Sequence, residues 1–243
     1  MLTLLRREIS AFFNTVTGYL VIIIYLLLTG LFLWIFPGEF NVIESGYASL
    51  DPMFIIAPWV FLFLVPAVTM RFFSDEKKSG TLELLLSRPL TDLEIILAKF
   101  LAGIILVLIA ILPTLFYYLS ANLLGNPVGN LDTGGFWGSF VGLILLAGVY
   151  VSIGVFTSSL TENQIVSFIL AVAICFVFFL GFDYLSKVGF SGGLESFLSG
   201  LGISYHYNSL ARGVIDTRDV IYFISVMAVF TLLTKIRLES RKW

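Results

Sequence analysis

Charge is scarce in this sequence. Only 12% of its residues are Asp, Glu, Lys or Arg, about half of the roughly 25% usual in soluble domains. Hydrophobic residues make up 58% and the mean hydropathy is +1.00. No soluble domain of 243 residues hides that much apolar surface from water, so lipid is the solvent that fits. Cysteine and histidine are nearly absent. Cys175 and His206 stand alone, which excludes an internal disulfide, a Cys-rich metal site and a multi-His metal site. The net charge of −2 and the lack of a basic, aromatic-interleaved patch give no sign of nucleic acid as a partner.

Catalytic signatures are missing too. No Gly-Lys pair occurs, so the phosphate-cradling loop of P-loop ATPases cannot form. An intramembrane serine protease needs a Ser–His pair, and the one histidine falls outside the apolar runs. The first 14 residues have no apolar core of a cleavable signal and carry Arg6, Arg7 and Glu8. Carboxylates near the middle of the apolar runs, which an ion-driven carrier would use, are not seen. The chain is therefore expected to bind no cofactor or metal and to catalyse nothing itself.

What is present is length of apolar run. A transmembrane helix needs about 20 mainly apolar residues, and six stretches qualify: about 17–36, 52–72, 93–122, 136–158, 163–184 and 220–234, the last a short one. Continuous rather than alternating hydrophobicity favours helices over a β-barrel, so the expected fold class is an all-α integral membrane protein forming a single domain over 1–243. Capping boxes, Thr91 with Glu94 and Thr161 with Gln164, mark the starts of spans three and five. Eleven of the 14 basic residues fall on the side of the termini, which places both ends in the cytoplasm. Residues 185–219, on the other side, carry apolar clusters at 194–201 and 205–210, readable as short helices or as a plain loop.

Two polar regions remain. Leu2, Leu5, Ile9, Phe12, Phe13 and Val16 recur at helical spacing, with Arg6, Arg7, Ser10 and Asn14 on other faces. Residues 1–16 read as an amphipathic interfacial helix, or as a leader that only supplies positive charge. Between spans two and three lies FFSDEKKSGTLELLLSRPLT. Ser79-Gly80-Thr81 supplies a turn and a helix start, Glu83 suits the first turn, and Pro89 ends the helix. Its leucines make it a candidate to dock in a partner's groove; a solvated connector is the alternative. In span four, Gly134, Gly138 and Gly142 form small-xxx-small steps suited to close helix packing or to a dimer seam.

Glu76-x-x-x-Gly80-Thr81-x-Glu83, then Leu85, Ser87-Arg88-Pro89 and Lys99, closely resembles the ABC-2 type transporter permeases, as do the six spans, the amphipathic N-terminus and the long outer loop. Within that family the chain is most similar to the permease subunits associated with gliding motility. The resemblance implies a coupling helix that fits a cleft on a separate cytoplasmic ATPase, which would hold the ATP and Mg. Matched residue by residue, that role falls on Asp75, Glu76, Gly80, Thr81, Leu82, Glu83, Leu85, Arg88 and Pro89. It further implies a bacterial cytoplasmic (inner) membrane location, a second membrane permease subunit, and outer helices near 194–201 and 205–212 that cap a pathway. A structural membrane subunit that moves no cargo, and a self-contained secondary carrier, are the competing readings.

Overall fold

The computed structural model describes residues 1–86, 90–187 and 193–240, and among these it contains helices and no strand. Helix α1 (Leu2–Phe13) precedes α2 (Val16–Trp34), the first of six helices long and apolar enough to cross a membrane. The second crossing is α3 (Asp51–Thr69), continued through a turn by the short α4 (Ser74–Lys78). After α5 (Thr81–Leu86), the third crossing joins α6 (Asp92–Ile111) to α7 (Leu115–Leu124). The fourth is α8 (Thr133–Leu160), and the fifth runs from α9 (Gln164–Phe176) into α10 (Phe182–Lys187). Two short helices, α11 (Gly193–Ser199) and α12 (Ile203–Leu210), lead to the sixth crossing, α13 (Thr217–Glu239). The chain is an all-α integral membrane protein.

Proline and helix irregularity explain the breaks. Pro113 has no N–H to give the helix and its ring crowds the preceding turn, so Leu112–Thr114 tightens to a 3-10 turn within the third crossing. Val177–Gly181 widens to a π turn within the fifth. Pro58 and Pro66 sit inside α3, where neighbouring helices bury them and the Thr69 hydroxyl donates to the Val65 carbonyl at 2.9 Å.

α8 is the centre of the bundle. Of its most apolar 18 residues, 78% are buried, against 22% for α2, for the fifth crossing and for α13, which turn most of their surface outward. Helices α3, α6, α9 and α13 pack around it. Gly138 and Gly142 are both buried there, but their neighbours are not another span. A Cβ on Gly138 would run into the Gly213 backbone, its carbonyl carbon only 2.7 Å away, and one on Gly142 would come within 2.8 Å of the Leu210 Cβ. Gly134 stands apart: it is exposed, and its Cβ would meet only the helix's own cap, Asp132, at 3.5 Å. The glycine face thus receives the end of α12 and the turn after it.

The sequence-derived bounds shift in two instructive places. α13 runs 23 residues, eight more than the apolar run, because Arg218, Asp219, Lys235 and Arg237 extend it at both ends as polar turns. At the start of span five the expected Thr161–Gln164 capping box is not formed. Asn163 is the cap, its side-chain oxygen accepting from the Ile165 N–H at 2.9 Å, while the Thr161 hydroxyl accepts from the Asn163 N–H at 3.1 Å. Asn ranks with the best N-cap residues and outcompetes Thr here. The Thr91–Glu94 box is complete, with both reciprocal bonds.

Candidate functional site: the α4–α5 hairpin

An even number of crossings brings both termini to one face, and α4 and α5 stand on that face. Ser79 and Gly80 turn the chain between them. Gly80 has φ +69°, a conformation glycine reaches without a Cβ penalty. The Ser79 hydroxyl lies 2.8 Å from both the Asp75 carbonyl and the Thr81 hydroxyl, which tightens the turn. α5 then presents two sides. Leu82 and Leu85 are buried against the bundle, whereas Glu83 is exposed and Leu84 is 68% exposed. Arg88 and Pro89 lie outside the described residues.

The root of the hairpin is a node of charge. Asp75 accepts from the Gln164 side-chain amide, and the Lys77 ammonium donates to the Ser159 carbonyl, so α4 is joined to the α8–α9 connection. Glu76 is buried and pairs with Arg7 of α1 and, at 3.1 Å, with Lys99 of α6. Lys99 is fully buried. It also bonds Glu8 at 2.9 Å and the Phe72 carbonyl at 2.5 Å, and its ammonium lies 4.9 Å from the Phe73 ring centre. Arg7 closes the ring through Glu8 at 2.7 Å. Burial opposes the Arg7 charge, but the two carboxylates outweigh it and hold its pKa above the ordinary value. Two cations thus balance two carboxylates drawn from three helices. A cavity of about 430 Å³ opens beside this ring, with Arg7, Arg71, Asp75 and Glu76 in its wall. In it the Arg71 guanidinium donates to the Thr17 hydroxyl at 3.1 Å.

The structure therefore brings Asp75, Glu76, Gly80, Thr81, Leu82, Glu83 and Leu85 into one hairpin but divides their duties. Glu76, Leu82 and Leu85 face inward; Glu83 and Thr81 face out. Sequence reasoning missed Arg7 and Lys99 as partners of Glu76, and Glu8 as the second carboxylate those two cations share. α1 carries the expected amphipathic pattern with a changed face. Leu2 and Val16 are exposed, while Leu4 is buried and Leu5, Ile9, Phe12 and Phe13 pack on the core. Glu8, one turn after Leu4, turns inward because Lys99 is there to receive it. The i,i+4 spacing of Leu4, Glu8 and Phe12 was the available signal.

A short helix with an exposed acidic and apolar side is held at its root by bonds to α1, α6 and the α8–α9 connection, within a bundle of six membrane-crossing helices. This is the layout of a multi-pass membrane component. The sequence profile of the ABC-2 family transporter proteins matches residues 42–241, most of the chain, and the chain belongs to that family. It is accordingly a permease component of an ABC transporter, a kind of subunit that is typically non-catalytic and implies an ABC ATPase partner. A comparison with individual curated proteins finds no match.

Proposed function

We propose that this chain is the membrane-spanning permease subunit through which a separate cytoplasmic ATPase drives movement across a bacterial inner membrane, with α5 as the coupling helix. Both termini lie in the cytoplasm on this reading, and a second membrane subunit completes the pathway. Nucleotide binding draws two ATPase subunits together, the exposed side of α5 is pushed, and α4 passes the displacement to α1, α6 and the α8–α9 connection. The assignment to gliding motility rests on the sequence resemblance alone.

The observation that carries the reading is the division of the hairpin into an exposed tip, Glu83 and Leu84, and a bonded root, Asp75 to Lys77. A loop that was only a connector would have no need of a root tied to three parts of the bundle. Docking a leucine in a partner's groove contributes up to about 1.5–3 kcal/mol. The test is co-purification of the ATPase with wild type, Glu83→Lys and Leu84→Asp at matched membrane levels. Recovery is expected to fall severalfold for each variant with insertion unchanged. Equal recovery and equal function would remove α5 as the docking element.

A further inference from the structure

His206, the only histidine, is built into a contact that the coupling mechanism does not use. It lies on α12 and is nearly enclosed, its side chain 13% exposed. Its Nδ1 is 2.7 Å from Asp219 Oδ1 at the start of α13, and its Nε2 is 2.9 Å from the Gly200 carbonyl oxygen. Its ring stacks on Tyr222 of α13 at 3.9 Å, and Tyr222 in turn donates to the Leu201 carbonyl at 2.6 Å. Asp219 is buried as well, and its second oxygen has no hydrogen-bond partner among the described residues.

The proton count follows from the partners. A carbonyl can only accept, so Nε2 must donate to Gly200. The short Nδ1–Oδ1 contact then needs one proton, carried by either atom. If that proton leaves, two lone pairs face each other at 2.7 Å. If the remaining proton moves to Nδ1 instead, the lone pair of Nε2 faces the Gly200 carbonyl and that bond is lost. Deprotonation therefore loses the Asp219 contact to α13 in one tautomer and, in the other, the Gly200 bond that holds His206 within the α11–α12 segment. A second proton can sit on the unpartnered Asp219 Oδ2 and leave Nδ1–H donating to Oδ1, so the pair opens only by losing the shared proton.

Other titratable groups around the ring are few. α12 itself contributes Tyr205, edge-on at 5.3 Å, and α13 contributes Asp219, Tyr222 and the neighbouring Arg218. α8, which packs on α12, has no charged residue. The fifth crossing brings Tyr184 and an Asp183–Lys187 pair that bond each other at 2.9 Å, α11 brings Glu195, and the turn before α13 brings Arg212 and Asp216. Apart from Asp219, none of these makes a hydrogen bond or ion pair with the imidazole among the described residues.

We propose that His206 and Asp219 form a proton-operated latch that fastens the α11–α12 segment to the sixth crossing, closed when the pair holds one proton and loosened when that proton leaves. That it senses the external side rests on the orientation given under Proposed function; the latch itself does not.

The test uses the purified full chain in lipid nanodiscs, without a polyhistidine tag and with Cys175→Ser, so that both faces are open to reagent whatever the topology. Selective 15N labelling of histidine gives the one imidazole and its protonation directly. Opening is read as the maleimide labelling rate at Ser204→Cys, a buried position of α12, divided by that at Ser196→Cys, an exposed position of α11, which cancels the thiolate's own pH dependence. The ratio should rise about tenfold, one hydrogen bond's worth in an equilibrium constant, as the 15N signal reports loss of the proton. In His206→Gln and in Asp219→Asn it should be independent of pH. A flat wild-type ratio through the imidazole titration overturns the latch whether or not the variants fold, and so does a pH dependence that survives in His206→Gln.

Discussion

Replacing Lys99 with methionine keeps most of the side chain's length and removes its charge and its N–H donors. Lys99 is fully buried, bonds Glu8 and the Phe72 carbonyl, and is ion-paired with Glu76. Without it, Arg7 alone faces two carboxylates whose side chains are only 10–11% exposed. Removing one partner of a buried ion pair costs about 3–5 kcal/mol, because a charge is left unpaired in a medium that solvates it poorly. Lys99→Met should therefore lower the thermal midpoint in detergent clearly and loosen α1 first, since α1 is held to α6 through Glu8. Glu8→Gln in the same chain removes the stranded charge and should recover part of the loss. The assay is a double-mutant cycle of thermal unfolding on Lys99→Met, Glu8→Gln and the pair. Contacting charges should show an interaction energy above about 1 kcal/mol. Additive losses, or a Lys99→Met protein as stable as wild type, would refute the reasoning that the ring holds α1 in place.

Gly138→Leu and Gly142→Leu should each lower stability by at least about 1–3 kcal/mol through overpacking, whereas Gly134→Leu should be tolerated because its Cβ has only Asp132 near it; thermal unfolding of the three side by side checks the contrast. Asn163→Ala should cost about 1 kcal/mol as a lost N-cap and Thr161→Ala less, by the same measurement. Single cysteines in a Cys175→Ser background should be protected from an impermeant reagent at Ser79 and labelled at Ser196 in intact cells; outside labelling at Ser79 would invert the proposed orientation.

The parts of this structure that a sequence can disclose are those governed by neighbours in the chain. Runs of apolar residues mark the six crossings, Thr91 and Glu94 announce their own capping box, and Ser79-Gly80-Thr81 announces a turn that does adopt a positive φ at Gly80. The failures are long-range. Lys99 stood as a basic residue and the last member of the family motif, and Glu8 only as a charge that argues against a cleavable signal. Their partnership joins positions 91 residues apart, and no local pattern contains it. Thr161 and Asn163 are both acceptable caps, and which one serves depends on how the chain leaves α8. The glycine steps in α8 foretold close approach but not its object, since Leu210 at the end of α12 and Gly213 in the turn after it lie more than 60 residues further on. The inward turn of Glu76, Leu82 and Leu85 also means that truncating them would disturb the fold along with any docking, so Glu83 and Leu84 are the cleaner positions for a test.

The central claim is that the exposed side of α5 touches the ATPase. A photo-activatable amino acid placed at Leu84 in living cells, with a second copy at Glu195 as the control, measures that contact without requiring the complex to survive purification. The account predicts a crosslink from position 84 to the ATPase subunit and none from position 195. A crosslink from position 195, or none from position 84 while wild-type chain still recovers the ATPase, would contradict it.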